Sequence, residues 1–427
     1  MEKTVAFHTL GCRVNQSETA SLAALFKARG YRVVDWGTVA GVYVINTCTV
    51  TGTGDKKSRQ VIRQAVRANP AAVVVVTGCY AQTAPEEIAR LPGVNLVVGQ
   101  VDRNRLVDLA EAAVPGPPRV LTGSRDVFCE LPVPAGDRTR AFLKVQEGCN
   151  RFCTYCIVPL ARGRERSLPP DRVLAQARTL AASGHREIVV TGTNTGAYGR
   201  DLGNIDLAGL MEALAGVEGL ARIRLSSVEP EEVTERLIAV LAGAGKFCRH
   251  LHLPLQSGDD AVLQAMGRRY TAAGFARLVR SLKAAVKGLA ITADVMAGFP
   301  GEDRAAHLNT LALVEGEELA GLHVFKYSPR KGTAAYSYAD QVDPGTREER
   351  SRELLAAGER LAHRFASSLI GREARVLVEE AAADGLYTGF TDTYVRVFFP
   401  GGPRGRVATV AVAGWGPLGL TGRILGG

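Results

Sequence analysis

Three cysteines crowd one short run, Glu147-Gly148-Cys149-Asn150-Arg151-Phe152-Cys153-Thr154-Tyr155-Cys156. A cubane iron–sulfur cluster normally takes four thiolates. Three at this spacing can hold three corners and leave the fourth iron open to a small molecule. The competing chemistry is a zinc knuckle, but a closed zinc site takes a fourth Cys or His, and the next histidine after Cys156 is His185. The spacing therefore favours the cluster.

Five further cysteines complete the chain's eight. Cys129 and Cys248 stand alone and read as small buried residues. Cys12, Cys48 and Cys79 each lie just beyond an apolar run: Val5 to Leu10, Val42 to Thr47 and Val73 to Thr77. Helical patterns follow from about Ser17 to Arg29, from about Asp55 to Ala68 and from near Pro85. A weaker strand, Asn95 to Val98, precedes a helix from Asp102 to Ala113. Buried strands alternating with helices predict a parallel sheet covered on both faces. The loops after its strands share one edge, where such sheets bind ligands. Cys12, Cys48 and Cys79 are thus expected to converge, beside helix N-termini that favour thiolate.

Pro115-Gly116-Pro117-Pro118 ends that pattern, and the stretch to Gly136 reads as a linker or crossing segment. A second series follows, with strands predicted at Ala141 to Gln146, Glu187 to Thr191, Arg222 to Ser226, His250 to Leu255, Ile291 to Met296 and His323 to Tyr327. Six β/α units suggest an open partial barrel, two short of the closed eight, with the three-cysteine loop at its C-terminal mouth. A charged helix, about Thr346 to Ile370, leads to five short predicted strands, the kind of small antiparallel barrel often used to bind RNA. The fold class is α/β, in three domains: 1–134, a doubly wound sheet; 135–370, a (β/α)6 partial barrel; 371–427, a small β-barrel.

With 427 residues, mean hydropathy of +0.03 and apolar runs too short to span a bilayer, the chain reads as a soluble protein. No apolar signal core precedes Cys12, so the expected compartment is the cytoplasm, where thiols stay reduced. The net charge of +9 favours an anionic partner such as nucleic acid. The excess is +4, +4 and +1 across the three domains, so local geometry rather than a basic tail must form the surface.

The Cys149–Cys156 loop resembles that of radical S-adenosylmethionine enzymes. There the open iron chelates S-adenosylmethionine, and an electron from the cluster splits the sulfonium to give a 5′-deoxyadenosyl radical. Together with Leu10-Gly11-Cys12-Arg13-Val14-Asn15-Gln16-Ser17-Glu18, Asn46-Thr47-Cys48-Thr49-Val50 and Thr77-Gly78-Cys79-Tyr80-Ala81-Gln82, it is similar to the methylthiotransferases, over essentially the whole chain. The resemblance implies two [4Fe-4S] clusters, an auxiliary one on Cys12, Cys48 and Cys79 and a radical one on Cys149, Cys153 and Cys156. It also implies S-adenosyl-L-methionine as cofactor and a C-terminal TRAM barrel that holds RNA. Phe7-His8-Thr9, Thr49-Val50-Thr51, Gly54-Asp55-Lys56-Lys57-Ser58-Arg59-Gln60 and Gly389-Phe390-Thr391-Asp392-Thr393-Tyr394 look like the branch that acts on N6-threonylcarbamoyladenosine at tRNA position 37. Sister branches act on isopentenyladenosine or on an aspartate of a ribosomal protein. In Thr193-Asn194-Thr195-Gly196 the chain departs from the family pattern, with Asn194 in place of a histidine. The partners implied are the tRNA anticodon loop, a reducing electron donor and a sulfur source. A non-catalytic iron–sulfur RNA-binding or electron-transfer protein is the alternative of another class, but an electron carrier gains nothing from an open iron.

Strand-end residues at the barrel mouth, Ser227, Glu229, Gln256, Asp294 and Gly298, are expected to bind S-adenosylmethionine, with Gly298 allowing close approach to adenine. The alternative for each is an ordinary turn. Arg59, Arg63 and Arg67 recur every four residues on one helical stripe; Arg162 and Arg164 follow the radical loop. These five are expected to bind RNA phosphates, against the plainer reading of a solvated face. The Gly52–Ser58 run lacks the spacing of a phosphate loop. No residue type in the sequence identifies a catalytic acid or base.

Overall fold

The computed structural model describes residues 2–114, 116–134, 139–243, 245–382 and 385–426. The expected boundary at 134/135 falls beside residues 135–138, outside the described residues. Six strands form the N-terminal sheet: β1 (Thr4–Thr9), β2 (Arg32–Val34), β3 (Val42–Thr47), β4 (Val73–Gly78), β5 (Leu96–Val98) and β6 (Arg119–Leu121). All pairs are parallel, in the order β2-β1-β3-β4-β5-β6. The sequence pattern predicted four of these strands. β6 lies within the stretch read as linker, and β2 spans only three residues.

β3 is buried along its whole length because helices cover both faces. On one face, helix α1 (Arg13–Ala28) packs Leu22 and Phe26 with Leu106 and Leu109 of Leu106–Glu111. On the other, α2 (Gly52–Ala68) packs Ile62 and Ala65 with Ile88. The helix expected from Ser17 begins at Arg13, directly after Cys12. That expected from Asp55 begins at Gly52, where the Thr51 hydroxyl accepts from Gly54 N at 3.1 Å. The strand order reverses between β1 and β3, the switch point at which doubly wound sheets bind ligands.

The central domain holds β7 (Arg140–Glu147), β8 (Arg166–Ser167), β9 (Glu187–Gly192), β10 (Arg222–Leu225), β11 (His250–His252), β12 (Ala290–Ala297) and β13 (Gly321–Lys326). β7, β9 and β10 are parallel, as are β11, β12 and β13; β8 is a short antiparallel edge on β7. Backbone bonds from Cys248 N to Ile223 O (2.9 Å) and Val228 N to His252 O (3.0 Å) join the two groups. Six parallel strands thus form an open partial barrel. Strand alternation sends Leu143, Val145, Ile188, Val190, Ile223, Leu251, Ala293 and Val295 into the core under the helices. The alternate positions, including Lys144, Gln146, Glu187, Arg224, His252, Asp294 and His323, line the lumen, which is therefore polar.

Helix Pro344–Ser367 packs against β12 and β13 and leads to a closed barrel of β14 (Glu373–Ala381), β15 (Leu386–Thr391), β16 (Arg396–Pro400), β17 (Val407–Gly416) and β18 (Gly419–Gly426). The order is β14-β15-β16-β18-β17. The expected antiparallel pairing holds except at the closure, where Val397 pairs with Leu420 in parallel. Five strands that alternate in direction cannot close a ring without one parallel pair.

Candidate metal centres and the interface between them

Sheet register places the remote cysteines together. Thr47 pairs with Gly78, so Cys48 and Cys79 extend adjacent strands from equivalent positions; Thr9 pairs with Asn46, which sets Gly11 beside Cys48. Gly11 has φ +97°, and a Cβ there would lie 2.8 Å from Cys48 Sγ. Gly78, at φ +96°, is pressed against Asn46 and Thr47. Glycine before Cys12 and Cys79 thus lets two loops turn into one tight space. Gln100, almost fully buried, donates to Cys79 Sγ at 3.7 Å, and Val50 N to Cys48 Sγ at 3.5 Å. Burial, then the charges of Cys79 and Cys12, push the Cys48 thiol up to about 12. Burial raises the Cys79 thiol too, opposed chiefly by Arg162.

The second trio sits on the turn after β7. Gly148 (φ +78°) has no room for a side chain, since its Cβ would lie 1.8 Å from Arg164 O. Thr154 N donates to Met266 O (3.0 Å) and Thr154 O accepts from Ala335 N (2.8 Å), pinning the loop to the opposite rim. Arg268 donates to Cys153 Sγ at 3.4 Å and pairs with Glu229. Burial above all, with the neighbouring thiols, pushes Cys149 and Cys156 up to about 12.

The thiol spacing discriminates between metals. Among the described residues, only His252, Asp294 and His323 form a Cys/His/carboxylate trio with ligand atoms all within 4.8 Å. Both cysteine trios are wider. Bonds of about 2.3 Å to one zinc would need sulfurs about 3.8 Å apart. The donor sets, three thiols each with N–H donors beside them, are of the kind that holds an iron–sulfur cluster, Cys12, Cys48 and Cys79 in one and Cys149, Cys153 and Cys156 in the other.

The two sites face each other. The helix opened by Cys79 (Cys79–Thr83) packs on Val158–Arg162, which follows the radical loop. In the Cys48 loop, Gly52 N donates to Ser328 Oγ (3.1 Å), and Arg330 pairs with Asp55 (2.7 Å) and Thr49 (2.6 Å). Behind them lies a buried ionic network. Glu18 meets Arg103 (2.5 Å), Arg162 (2.9 Å) and Lys144 (3.0 Å), while Glu147 meets Arg162 (3.0 Å), Lys144 (3.2 Å) and Arg103 (3.3 Å). With Arg166, 3.7 Å from Glu147, four cations face two carboxylates, and Arg162 brings part of the surplus positive charge beside Cys79, where it favours thiolate.

Arg162 was expected to bind RNA, and the structure corrects this. It is 2% exposed, committed to Glu18 and Glu147, and donates to Asn15 Oδ1 at 2.7 Å. Arg59 is also largely committed, to Tyr80 Oη (2.7 Å) and Glu87 (2.8 Å). Arg63, Arg67 and Arg164 are exposed, with Arg164 over the exposed Phe152 ring at 5.0 Å. Lys56 and Lys57 extend the exposed α2 surface.

Of the expected cofactor residues, Ser227 is exposed beyond β10, and Glu229 is held by Arg268 beside the radical loop. Gln256 has φ +67°, a strained conformation fixed by Gln256 N to Asp294 O and Met296 N to Gln256 O, both 2.8 Å. Asp294 is engaged in the lumen, 3.0 Å from His252 Nε2 and 3.5 Å from His323 Nδ1. At Gly298 the space of the missing side chain is filled by Arg347, whose Cγ would lie 2.0 Å from a Cβ there. Its φ of +72° is one that L side chains rarely adopt. Asn194 donates to Glu165 and Glu232, both at 3.0 Å, and its backbone N to Gln146 Oε1 at 2.7 Å, so it ties three mouth loops together. Cys129 and Cys248 are buried, as expected.

The sequence reading missed His252 and His323. Their signal was the period-two placement of polar residues in His250-Leu251-His252 and Thr292-Ala293-Asp294, which marks a polar lumen.

Comparison with known proteins agrees with this architecture. Residues 4–99 match a family described as "Uncharacterized protein family UPF0004", and residues 143–314 match the Radical SAM superfamily. Threonylcarbamoyladenosine tRNA methylthiotransferase MtaB of Bacillus subtilis (strain 168) is 46% identical over 410 residues, covering 93% of this chain and 90% of that protein. Its namesake from Thermotoga maritima is 36% identical, covering 96% and 94%. A tRNA-2-methylthio-N(6)-dimethylallyladenosine synthase of Moorella thermoacetica is 35% identical, covering 93% of each. Among solved structures, the radical S-adenosylmethionine methyltransferase TsrM of Kitasatospora setae shares the fold, with a TM-score of 0.57 at 17% identity over 79% of this chain and 77% of that one. No helix among the described residues is long and apolar enough to cross a membrane. With two three-thiol sites on the two matched domains and such relatives along its length, this chain belongs to the radical S-adenosylmethionine tRNA methylthiotransferase family.

Proposed function

We propose that this protein replaces the hydrogen on carbon 2 of N6-threonylcarbamoyladenosine, at position 37 in the tRNA anticodon loop, with a methylthio group. The observation that carries the reading is the facing of two three-thiol sites across one interface. Cys12, Cys48 and Cys79 would hold the auxiliary cluster and Cys149, Cys153 and Cys156 the radical cluster. When bound, these groups supply the electron that cleaves S-adenosylmethionine and the sulfur that is methylated and transferred.

The chain's own residues position the reaction. Arg268 orients Cys153 and Glu229 at the rim. Ser227, Gln256 and Glu229 offer polar groups to the ribose, amino and carboxyl functions of S-adenosylmethionine. The Glu18–Glu147 network fixes the two domains and keeps water out from behind the sites. Arg63, Arg67 and Arg164, with Lys56 and Lys57, bind backbone phosphates around the base. A cytoplasmic setting, a reducing electron donor and a sulfur source complete the scheme.

Anaerobic reconstitution with reductant and S-adenosylmethionine should yield 5′-deoxyadenosine. Mass spectrometry of tRNA from a deletion strain should show threonylcarbamoyladenosine without its methylthio group. A second reading, isopentenyladenosine as substrate, is favoured by the Moorella thermoacetica relative. Loss of the methylthio group from that base instead would establish it and overturn the first.

A further inference from the structure

A cavity of about 480 Å³ opens where the three domains meet. Arg13 enters it from the start of α1, Arg140 and Arg224 from the lumen, and Tyr394 and Arg396 from the terminal barrel. Two of these cations have carboxylate partners: Arg224 meets Glu187 at 2.9 Å, and Arg140 meets Glu379 at 2.5 Å. Among the described residues, Arg13 has no carboxylate partner; it donates to Tyr394 Oη at 3.2 Å. The guanidiniums of Arg224, Arg140 and Arg13 lie 4.7, 5.3 and 5.4 Å from the Tyr394 ring centre. Burial would raise the Tyr394 phenol, yet Arg13, Arg140 and Arg224 together hold it below its ordinary value. The cavity is thus built to stabilise negative charge beside Arg13.

Arg13 directly follows Cys12, so the cavity adjoins the auxiliary site. In adenine, N6 and carbon 2 flank the same ring nitrogen, so a base with carbon 2 at that site carries its N6 substituent close by. The threonylcarbamoyl group ends in a carboxylate; the isopentenyl group has no charge and would leave Arg13 without an anionic partner. We propose that Arg13 and Tyr394 form the subsite for the carboxylate of the threonylcarbamoyl group and select that base over isopentenyladenosine. This deepens the substrate reading above and rests on it.

The test is binding of anticodon stem-loop RNAs carrying threonylcarbamoyladenosine, isopentenyladenosine or plain adenosine at position 37. The proteins are anaerobically reconstituted wild type, Arg13→Gln, Arg13→Lys and Tyr394→Phe, each with its iron content measured. Wild type is expected to prefer the threonylcarbamoyl RNA. Arg13→Gln should lose roughly ten- to a hundredfold for it, falling toward the affinity for plain adenosine. Arg13→Lys should retain part of the preference. Tyr394→Phe, in the terminal barrel and remote in sequence from the cysteines, should lose about three- to tenfold, and it decides the matter should Arg13→Gln fail to hold iron. A wild-type preference that Arg13→Gln and Tyr394→Phe both keep overturns the subsite alone. Equal loss for all three RNAs also overturns it and assigns the cavity to a backbone phosphate. No wild-type preference for the threonylcarbamoyl RNA overturns the substrate reading itself.

Discussion

Glu18→Gln should be among the most damaging single changes outside the cysteines. Glu18 is 1% exposed and bonded to Arg103, Arg162 and Lys144. Neutralising it leaves four buried cations, Arg103, Lys144, Arg162 and Arg166, against Glu147 alone. Removing one partner of a buried ion pair typically costs about 3–5 kcal/mol, a large part of the roughly 5–15 kcal/mol that holds a protein folded. Arg162→Gln should be milder, because Arg103, Lys144 and Arg166 still neutralise the two carboxylates. The double variant restores the native excess of positive charge, so it should cost at least about 1 kcal/mol less than the two single costs added. Burial raises the Glu18 carboxyl, but Arg103, Arg162 and Lys144 hold it well below the usual range. Its stabilisation is therefore present above about pH 4.3 and is lost as pH falls through the folded-state value. Anaerobic guanidinium titration of the four proteins, each carrying Trp415→Phe so that Trp36 is the one tryptophan, reports the N-terminal domain by fluorescence, because Trp36 packs on Tyr43 in that core. Strictly additive costs, or a Glu18→Gln cost below about 1 kcal/mol, would refute the charge-balance argument.

Glycine substitutions should separate the two clusters. Gly11→Ala should remove about half the iron yet leave 5′-deoxyadenosine formation, whereas Gly148→Ala should abolish it, as read by iron assay and chromatography. Reversing Arg63 and Arg67 to Glu should weaken tRNA binding and flatten its salt dependence by about one unit of slope per lost phosphate contact; equilibrium binding across salt concentrations checks this. Burial, then Arg224 and the neighbouring histidines, hold His250 well below its ordinary value. Its folded value lies below the unfolded one, so stability is full above about pH 6.5 and falls as pH drops, by up to about 1.4 kcal/mol per unit. His250→Gln should remove that slope in thermal melts between pH 6.5 and 5.

Apolar runs made the alternating sheet and barrel strands legible in the sequence, and the position of each cysteine after a strand foretold the edge where they meet. Short edge strands escaped because three residues, Arg32–Val34 or Arg119–Leu121, carry too little period to register. Arg162 was misread for a deeper reason. An arginine's default is solvent, and the buried carboxylates that hold it inside are Glu147, 15 residues before it, and Glu18, 144 residues before it in another domain. The packing of Gly298 was equally hidden: the space beside it is taken by Arg347, on a helix nearly fifty residues later. The cavity at Arg13 assembles side chains from all three domains, and no local pattern announces it.

The Phe390–Tyr394 turn of the terminal barrel gives the central domain a floor. Arg222 donates to Phe390 O and Arg224 to Thr391 O and Asp392 O, while Arg249 clasps the Asp392 carboxylate. A protein cut after residue 370 would lose more than a handle for RNA. Arg222 and Arg224 would keep only Glu187, losing their carbonyl acceptors in the barrel, and solvent would reach the reaction chamber from below. Chemistry and RNA anchoring are therefore bolted together in this molecule.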